Sequence, residues 1–351
     1  MTDQLKLSED TALLVEPSSM APRRRAVRTV LRSRELSIAI VLLVVVAAAT
    51  IKSPDFVFSS TGWRNLLLTP SLLLLLAVGQ TVVVLTRNVD LSVGSILGLS
   101  AWLTGEILID HPGVPAVAAF ALGTLAGAGL GLVNGVLVGY GRVPSLVITL
   151  GTQYVLRGIL LTWAGSRLIS ASQMPDGFLN LGTRQVLSIP VLFILAVAIV
   201  AVVGYYLQTA RSGRELYAVG SDPDAAVLYG LPVRRRVVSA FVLSGALAGL
   251  AGVVYAARYG TVSSSAGTGI ELQAVAAAVV GGVAIFGGSG TVWGAAIGAV
   301  LLVTINSALP IVNISDFWQQ ALVGLLILGA IVLDRVLAAR QARKLIGARD
   351  E

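Results

Sequence analysis

Six polar side chains stand inside or at the ends of long apolar runs: Asn88, Asp90, Gln153, Arg157, Glu271 and Gln273. Polar groups at such positions are costly in lipid, so they face a cavity, a solute pathway or a partner helix. Gln153 and Arg157 are four residues apart and share one face of a helix, offering an amide and a cation to the same space. Glu271 and Gln273 stand at the head of an apolar run. Asp90 follows Asn88 where one run breaks and the next begins. Either Asp90 or Ser92 can cap the new helix by accepting from its free amides, or Asp90 can meet a solute; the sequence leaves both open. Asn134 and Asn306 are singletons and read as bonds to neighbouring helices. Catalytic chemistry has little to work with. The chain has one His and no Cys, and no paired carboxylates fall within a run, so neither a catalytic residue nor a metal site is expected. His111 sits in a His-Pro-Gly turn and reads as a solvated loop residue.

The elements that must position these residues follow from composition. Of 351 residues, 56% are apolar, 12% are charged and 38 are Gly. A water-soluble domain carries about twice that share of charge. About 20 apolar residues cross a bilayer as a helix, and ten such windows occur: 36–51, 66–86, 91–109, 115–139, 144–164, 190–210, 237–257, 270–287, 291–309 and 317–334. The expected fold is therefore an all-α integral membrane protein with about ten transmembrane helices. With both termini cytoplasmic, 19 of the 25 Lys and Arg fall on the inner side and five on the outer, as the positive-inside rule requires. Membrane topology thus accounts for the net charge of +7 without nucleic acid. Residues 1–34 read as a disordered basic cytosolic tail, 35–335 as the transmembrane domain and 336–351 as a cytosolic C-terminal tail. The Arg-rich start before Leu36 imitates a secretory signal, but the runs downstream favour retention.

The pattern G-T-x-x-G-A-x-x-G occurs twice, at Gly123–Gly131 and at Gly290–Gly298. Five predicted spans separate the two copies, and an odd offset reverses the direction of travel. The expectation is an inverted repeat, an arrangement that transporters use to handle solute near the midplane.

The longest inner segment, 211–236, holds a short helix with its own punctuation. Asp222 is the N-cap, Pro223 the first helical residue, Gly230 lies past the end and Pro232 is the stop. Two turns are marginal alone. Val227, Leu228 and Tyr229 need a cover, by a docked protein or by packing beneath the membrane.

The stretches Leu85–Ser95, Val147–Thr152, Gly213–Gly220 and Gly281–Gly290 resemble the permease subunits of bacterial sugar-importing ATP-binding-cassette (ABC) transporters of the ribose and xylose group. The likeness covers about 36–335. It is strongest toward the autoinducer-2 and rhamnose permeases, through Arg87-Asn88, Tyr154 to Gly158 and Gly267-Thr268-Gly269. The resemblance implies an inner-membrane, multi-pass subunit that is no enzyme and binds no cofactor, with ATP and Mg on a cytosolic ABC ATPase. It implies that 222–230 is a coupling helix seated on that ATPase, with Arg214, Glu215, Asp222, Ala225, Ala226, Leu228 and Gly230 forming or positioning the seat. A periplasmic or lipid-anchored solute-binding protein would dock on outer loops such as 165–189. A second permease chain would complete the pathway; the resemblance favours a related chain, and an identical one stays open. The absence of a G-x-x-x-x-G-K-[ST] loop agrees with an outside source of ATP hydrolysis. The alternative is a stand-alone ion-coupled transporter with Asp90 and Glu271 as its proton or sodium sites.

Overall fold

A computed structural model describes residues 34–332, with 142, 316, 319, 327, 330 and 331 outside the described set. The expected tails, Arg34 excepted, lie outside it. The helices in chain order are α1 (Arg34–Lys52), α2 (Asp55–Phe58), α3 (Ser60–Leu68), α4 (Pro70–Leu85), α5 (Val93–Asp110), α6 (Ala116–Gly141) and α7 (Ser145–Ala164). They continue as α8 (Asp176–Thr183), α9 (Val191–Thr209), α10 (Arg211–Ser221), α11 (Pro223–Leu228), α12 (Val233–Tyr259), α13 (Ile270–Val280) and α14 (Val292–Ala308). A two-residue hairpin, β1 (Gln185–Val186) with β2 (Ile189–Pro190), is the only sheet among the described residues.

Eight helical segments among the described residues are long and apolar enough to span a bilayer, α3 and α4 running together as one. The chain is an all-α, multi-span membrane protein. The eighth expected window, 270–287, yields a helix of only 11 residues, about 17 Å long against the ~30 Å of a hydrocarbon core. The tenth, 317–334, includes residues outside the described set.

The core is built on α12, which packs against α4, α5 and α6. Small residues set the spacing. A Cβ on Gly127 would overlap the Gly245 carbonyl, and one on Gly249 would overlap the Gly123 carbonyl. With lipid outside, such close backbone approach is a main source of helix association. The first G-T-x-x-G-A-x-x-G copy therefore lines the α6–α12 seam. In the second copy Gly290 forms a turn, the Thr291 side chain caps α14 by accepting from Gly294 N–H at 2.9 Å, and Gly294 and Gly298 meet α13.

Between α12 and α13 the chain is irregular. Ile169 and Val262 exchange backbone hydrogen bonds in an isolated bridge. The Ala266 and Gly267 carbonyls then press on Gly98 and Gly94 of α5, where no Cβ would fit. Non-helical backbone is tolerated at membrane depth only where protein surrounds it and satisfies its polar groups.

Candidate solute pathway and cytosolic docking segment

Three of the six polar residues meet at this irregular segment. Gln153 donates from Nε2 to Glu271 Oε1 at 3.0 Å. One turn further along α7, Arg157 Nη1 donates to the Ser264 and Ala266 carbonyls at 3.1 and 2.8 Å. Arg157 thus satisfies backbone acceptors that a regular helix would have paired internally. Ser95 of α5 closes the group by donating to the Gln153 carbonyl at 3.0 Å. Glu271 is 8% exposed, and its Oε2 has no hydrogen-bond partner among the described residues. Gln153 and Arg157 are half-buried, while Tyr154 and Leu150 beside them are exposed. The cluster therefore lies under a face of α7 that the described residues leave uncovered. An amide, a guanidinium and a carboxylate oxygen grouped in this way offer donors and an acceptor to a hydroxyl-rich molecule.

Asp90 belongs to a different environment. It is fully buried, and its Oδ1 accepts from Ser92 N–H and Ser92 Oγ at 3.0 and 2.6 Å. Its Oδ2 accepts from Ser244 Oγ of α12 at 3.1 Å. Asn134 of α6 donates to Ser92 Oγ at 2.7 Å, the expected bond to a neighbouring element. The Gln80 carboxamide, oriented to satisfy both groups, pairs with the Asp90 backbone. Ser92 is the N-cap of α5 but makes no side-chain cap bond: its backbone is already helical, and its hydroxyl donates to Asp90 and accepts from Asn134. Asn88 is local: its amide donates to the Thr86 carbonyl and hydroxyl at 2.8 and 3.0 Å. Gln273 points to another space, a cavity of about 390 Å³ that it lines with Thr69, Tyr259, Asn306 and Ser307. Asn306, read from the sequence as a helix-to-helix bond, lines this cavity too.

The segment between α9 and α12 folds as its caps dictate. Asp222 Oδ1 accepts from Asp224 and Ala225 N–H, both at 3.0 Å, and Pro223 opens α11. Gly230 has φ of 75°, the left-handed conformation that ends a helix at little cost only for glycine. Ala226 is buried, whereas Val227, Leu228 and Tyr229 are 61%, 88% and 85% exposed. Three consecutive apolar side chains beyond the spans are thus left uncovered by the described residues. Glu215 and Arg214 anchor the segment from behind. Glu215 is buried between Arg236 Nε at 2.6 Å and Arg211 Nε at 2.9 Å, tying α10 to α12. The Arg236 bond holds the Glu215 carboxyl below the usual glutamate range, with burial opposing and Arg211 assisting. Arg214 donates to the Gln208 and Thr209 carbonyls at the end of α9, where a cation complements the helix dipole.

Sequence reasoning passed over Ser95 and Arg87. Ser95 is part of the cluster through a backbone carbonyl, a partnership without a sequence signature. Arg87 stood in the motif that carries the resemblance, and its φ of 62° is unusual for a non-glycine residue.

Comparison with known proteins adds a family. The profile described as branched-chain amino acid transport system / permease component matches residues 63–331. The autoinducer 2 import system permease protein LsrC of Klebsiella pneumoniae is 39% identical over 320 residues, 90% of each chain. LsrC of Escherichia coli K12 / DH10B is 38% identical over 276 residues, 78% of this chain and 79% of its own. The D-allose transport system permease protein AlsC of Escherichia coli K12 is 33% identical over 299 residues, 85% of this chain and 90% of its own. No solved structure matches the chain.

Proposed function

The chain belongs to the branched-chain amino acid transport system / permease component family, and from that premise we propose that it passes a small, neutral, hydroxyl-rich solute beside Gln153, Arg157 and Glu271. It is the permease subunit of an ABC importer in the cytoplasmic membrane, and ATP hydrolysis resides in a partner subunit. Autoinducer 2 and D-allose, named for the relatives, are small and rich in hydroxyls, and rhamnose or a related monosaccharide has the same character. The observation that carries the reading is the Gln153–Glu271 pair at the irregular entry to α13. Its donors and acceptor lie where a broken helix exposes polar groups to a pathway.

The exposed face of α7 beside this cluster supports a pathway along a seam with a second permease chain, a related chain as in the heterodimer inferred from the sequence. Pro223–Leu228, with Leu228 and the following Tyr229 exposed, supports docking on the ATPase. Its biasing of inward-open against outward-open shapes would follow from ATP binding and release. The 165–189 loops are the proposed outer contact for a solute-binding protein. A cytoplasmic N-terminus and the six span-length segments before Arg211 would put Arg211–Ser221 and Pro223–Leu228 on the same side as the ATPase. The inverted repeat belongs to the same proposal and rests on the two G-T-x-x-G-A-x-x-G copies. The tails and the domain limits at 34 and 335 remain part of the same proposal. The ion-coupled alternative gains nothing from Asp90, whose two oxygens are taken up by Ser92 and Ser244.

The test is Gln153→Ala in proteoliposomes holding the partner ATPase and binding protein, with autoinducer 2 and D-allose as probe solutes. Uptake is expected to fall about tenfold, the worth of a hydrogen bond to a charged group, at an unchanged level of assembled permease. Full uptake of both probes by this variant would remove the cluster from the pathway. Concentrative uptake without any ATPase would remove the ABC mechanism.

A further inference from the structure

The end of α10, next to the proposed docking helix, is gripped by a residue from a different part of the chain. Arg87 follows α4. Its Nε donates to the Gly220 carbonyl at 2.6 Å and its Nη2 to the Ser221 carbonyl at 2.5 Å. These are carbonyls of the last turn of α10, which have no partner further along that helix and carry its negative dipole end. A guanidinium supplies a two-pronged donor and a fixed charge to both. Ser221 is followed directly by Asp222, the N-cap of α11. The grip therefore ends one residue from the docking helix.

The surroundings are shaped for this contact. A Cβ on Gly220 would overlap the Leu85 carbonyl, so the end of α10 is pressed against the end of α4. Gly288 N–H donates to that same Leu85 carbonyl at 3.1 Å. A Cβ on Gly287 would collide with Arg87 Cγ, so the α13–α14 loop leaves room for the arginine stem. Tyr217 of α10 donates to the Gly290 carbonyl at 3.1 Å, a second tie to the same loop. The Arg87 backbone itself has φ of 62°, a conformation that costs a non-glycine residue free energy and persists only where contacts hold it.

On its other side Arg87 leads through Asn88 and Val89 to Asp90, locked to Ser92 and Ser244. From there α5 runs to Gly94, which abuts Glu271, and to Ser95, which bonds the Gln153 carbonyl. Displacement of the docking helix thus has a short, stiff route to the polar cluster: α11, Ser221, Arg87, the 86–92 turn and the start of α5.

We propose that Arg87 is a positioning residue that transmits movement of the docking helix to the start of α5, and so couples ATP use in the partner to opening at Gln153 and Glu271. The proposal rests on the docking role given above to Pro223–Leu228. In this role Arg87 would act through Gly220 and Ser221 rather than by touching the solute or the ATPase.

The experiment reconstitutes R87A with the ATPase and binding protein and reads three quantities from the same vesicles: ATPase retained, basal ATP hydrolysis, and autoinducer 2 or D-allose taken up per ATP. The expected result is full ATPase retention, basal hydrolysis within about twofold, and uptake per ATP down about tenfold, the factor one charge-assisted contact is worth. R87K keeps the charge but not the two-pronged donor, and is expected to recover part of the ratio. Unchanged uptake per ATP in R87A would overturn the proposal. So would loss of the ATPase, because Arg87 would then serve the seat itself. If R87A does not reach the membrane, R87K is read alone: a lowered ratio supports the proposal and a normal one overturns it. Leu228→Asp separates the premise. It should release the ATPase, and retention at normal uptake would fail the docking reading whatever Arg87 does.

Discussion

Asp90 and Glu271 are two acidic residues at the heads of helices in one bundle, and the protein uses them in opposite ways. Asp90 is fully buried and accepts three hydrogen bonds, from Ser92 N–H, Ser92 Oγ and Ser244 Oγ, binding the α4–α5 turn to α12. Glu271 retains slight exposure, takes one bond from Gln153, and keeps a second oxygen with no partner among the described residues. A buried polar group with every partner supplied makes the fold specific. One held in place yet incompletely paired keeps an acceptor in reserve, the property the proposed pathway would use. The difference is one of satisfaction, not of residue type.

The largest effect that tests this contrast is on stability. Asp90→Ala strips the acceptor from three buried donors, each costly to leave unmet, so unfolding in detergent should be easier by about 3 kcal/mol and membrane yield should drop. A variant as stable as the unaltered protein would break the comparison. Next, Glu271→Gln keeps the bond to Gln153 and removes the charge. Its unfolding midpoint is expected within about 0.5 kcal/mol of the unaltered chain, while ATP-driven uptake falls about tenfold. If instead stability fell as far as for Asp90→Ala, Glu271 would be a structural carboxylate like Asp90.

The smallest effect concerns Glu215, a third carboxylate beyond the spans, held below its usual range chiefly by Arg236. For a carboxyl whose folded pKa is depressed, the stabilisation is complete above the unfolded value, about 4.3, and disappears as pH falls through the lower folded value. Melting of the solubilised protein should therefore weaken below about pH 4.3 more steeply than melting of Glu215→Gln, and parallel curves would show that the two arginine bonds add nothing. Added salt should blunt the effect, since Arg211 is largely exposed.

Local chemistry was legible where neighbours in sequence are also neighbours in space. The helix at Pro223–Leu228 follows from an Asp side chain that reaches amides two and three residues on, a Pro with no N–H to lose, and a Gly past the end. Gln153 and Arg157 share a face because four residues make about one turn. Other positions were decided by competition that the sequence does not display. Ser92 stands at the head of α5 yet does not cap it, its hydroxyl bridging Asn134 and Asp90 instead. Asn88 turns back on Thr86, and Gln273, two residues from Glu271, faces the cavity with Asn306. The apolar run at 270–287 ends as a helix at Val280, where Gly281 packs on α14, Gly282, Gly287 and Gly288 turn with positive φ, and the last two pack on Arg87 and the end of α10.

Composition, periodicity and caps by themselves determined that this chain crosses a membrane many times and presents a short capped helix outside it. Those properties come from side-chain transfer free energies and from bonds spanning a few residues, and both are written locally. Which carboxylate is sealed and which stays available, and that Arg87 holds the end of a helix 133 residues away, depended on packing between distant segments. Close approach of glycine-lined helices sets that packing to fractions of an ångström, and no linear pattern carries such distances.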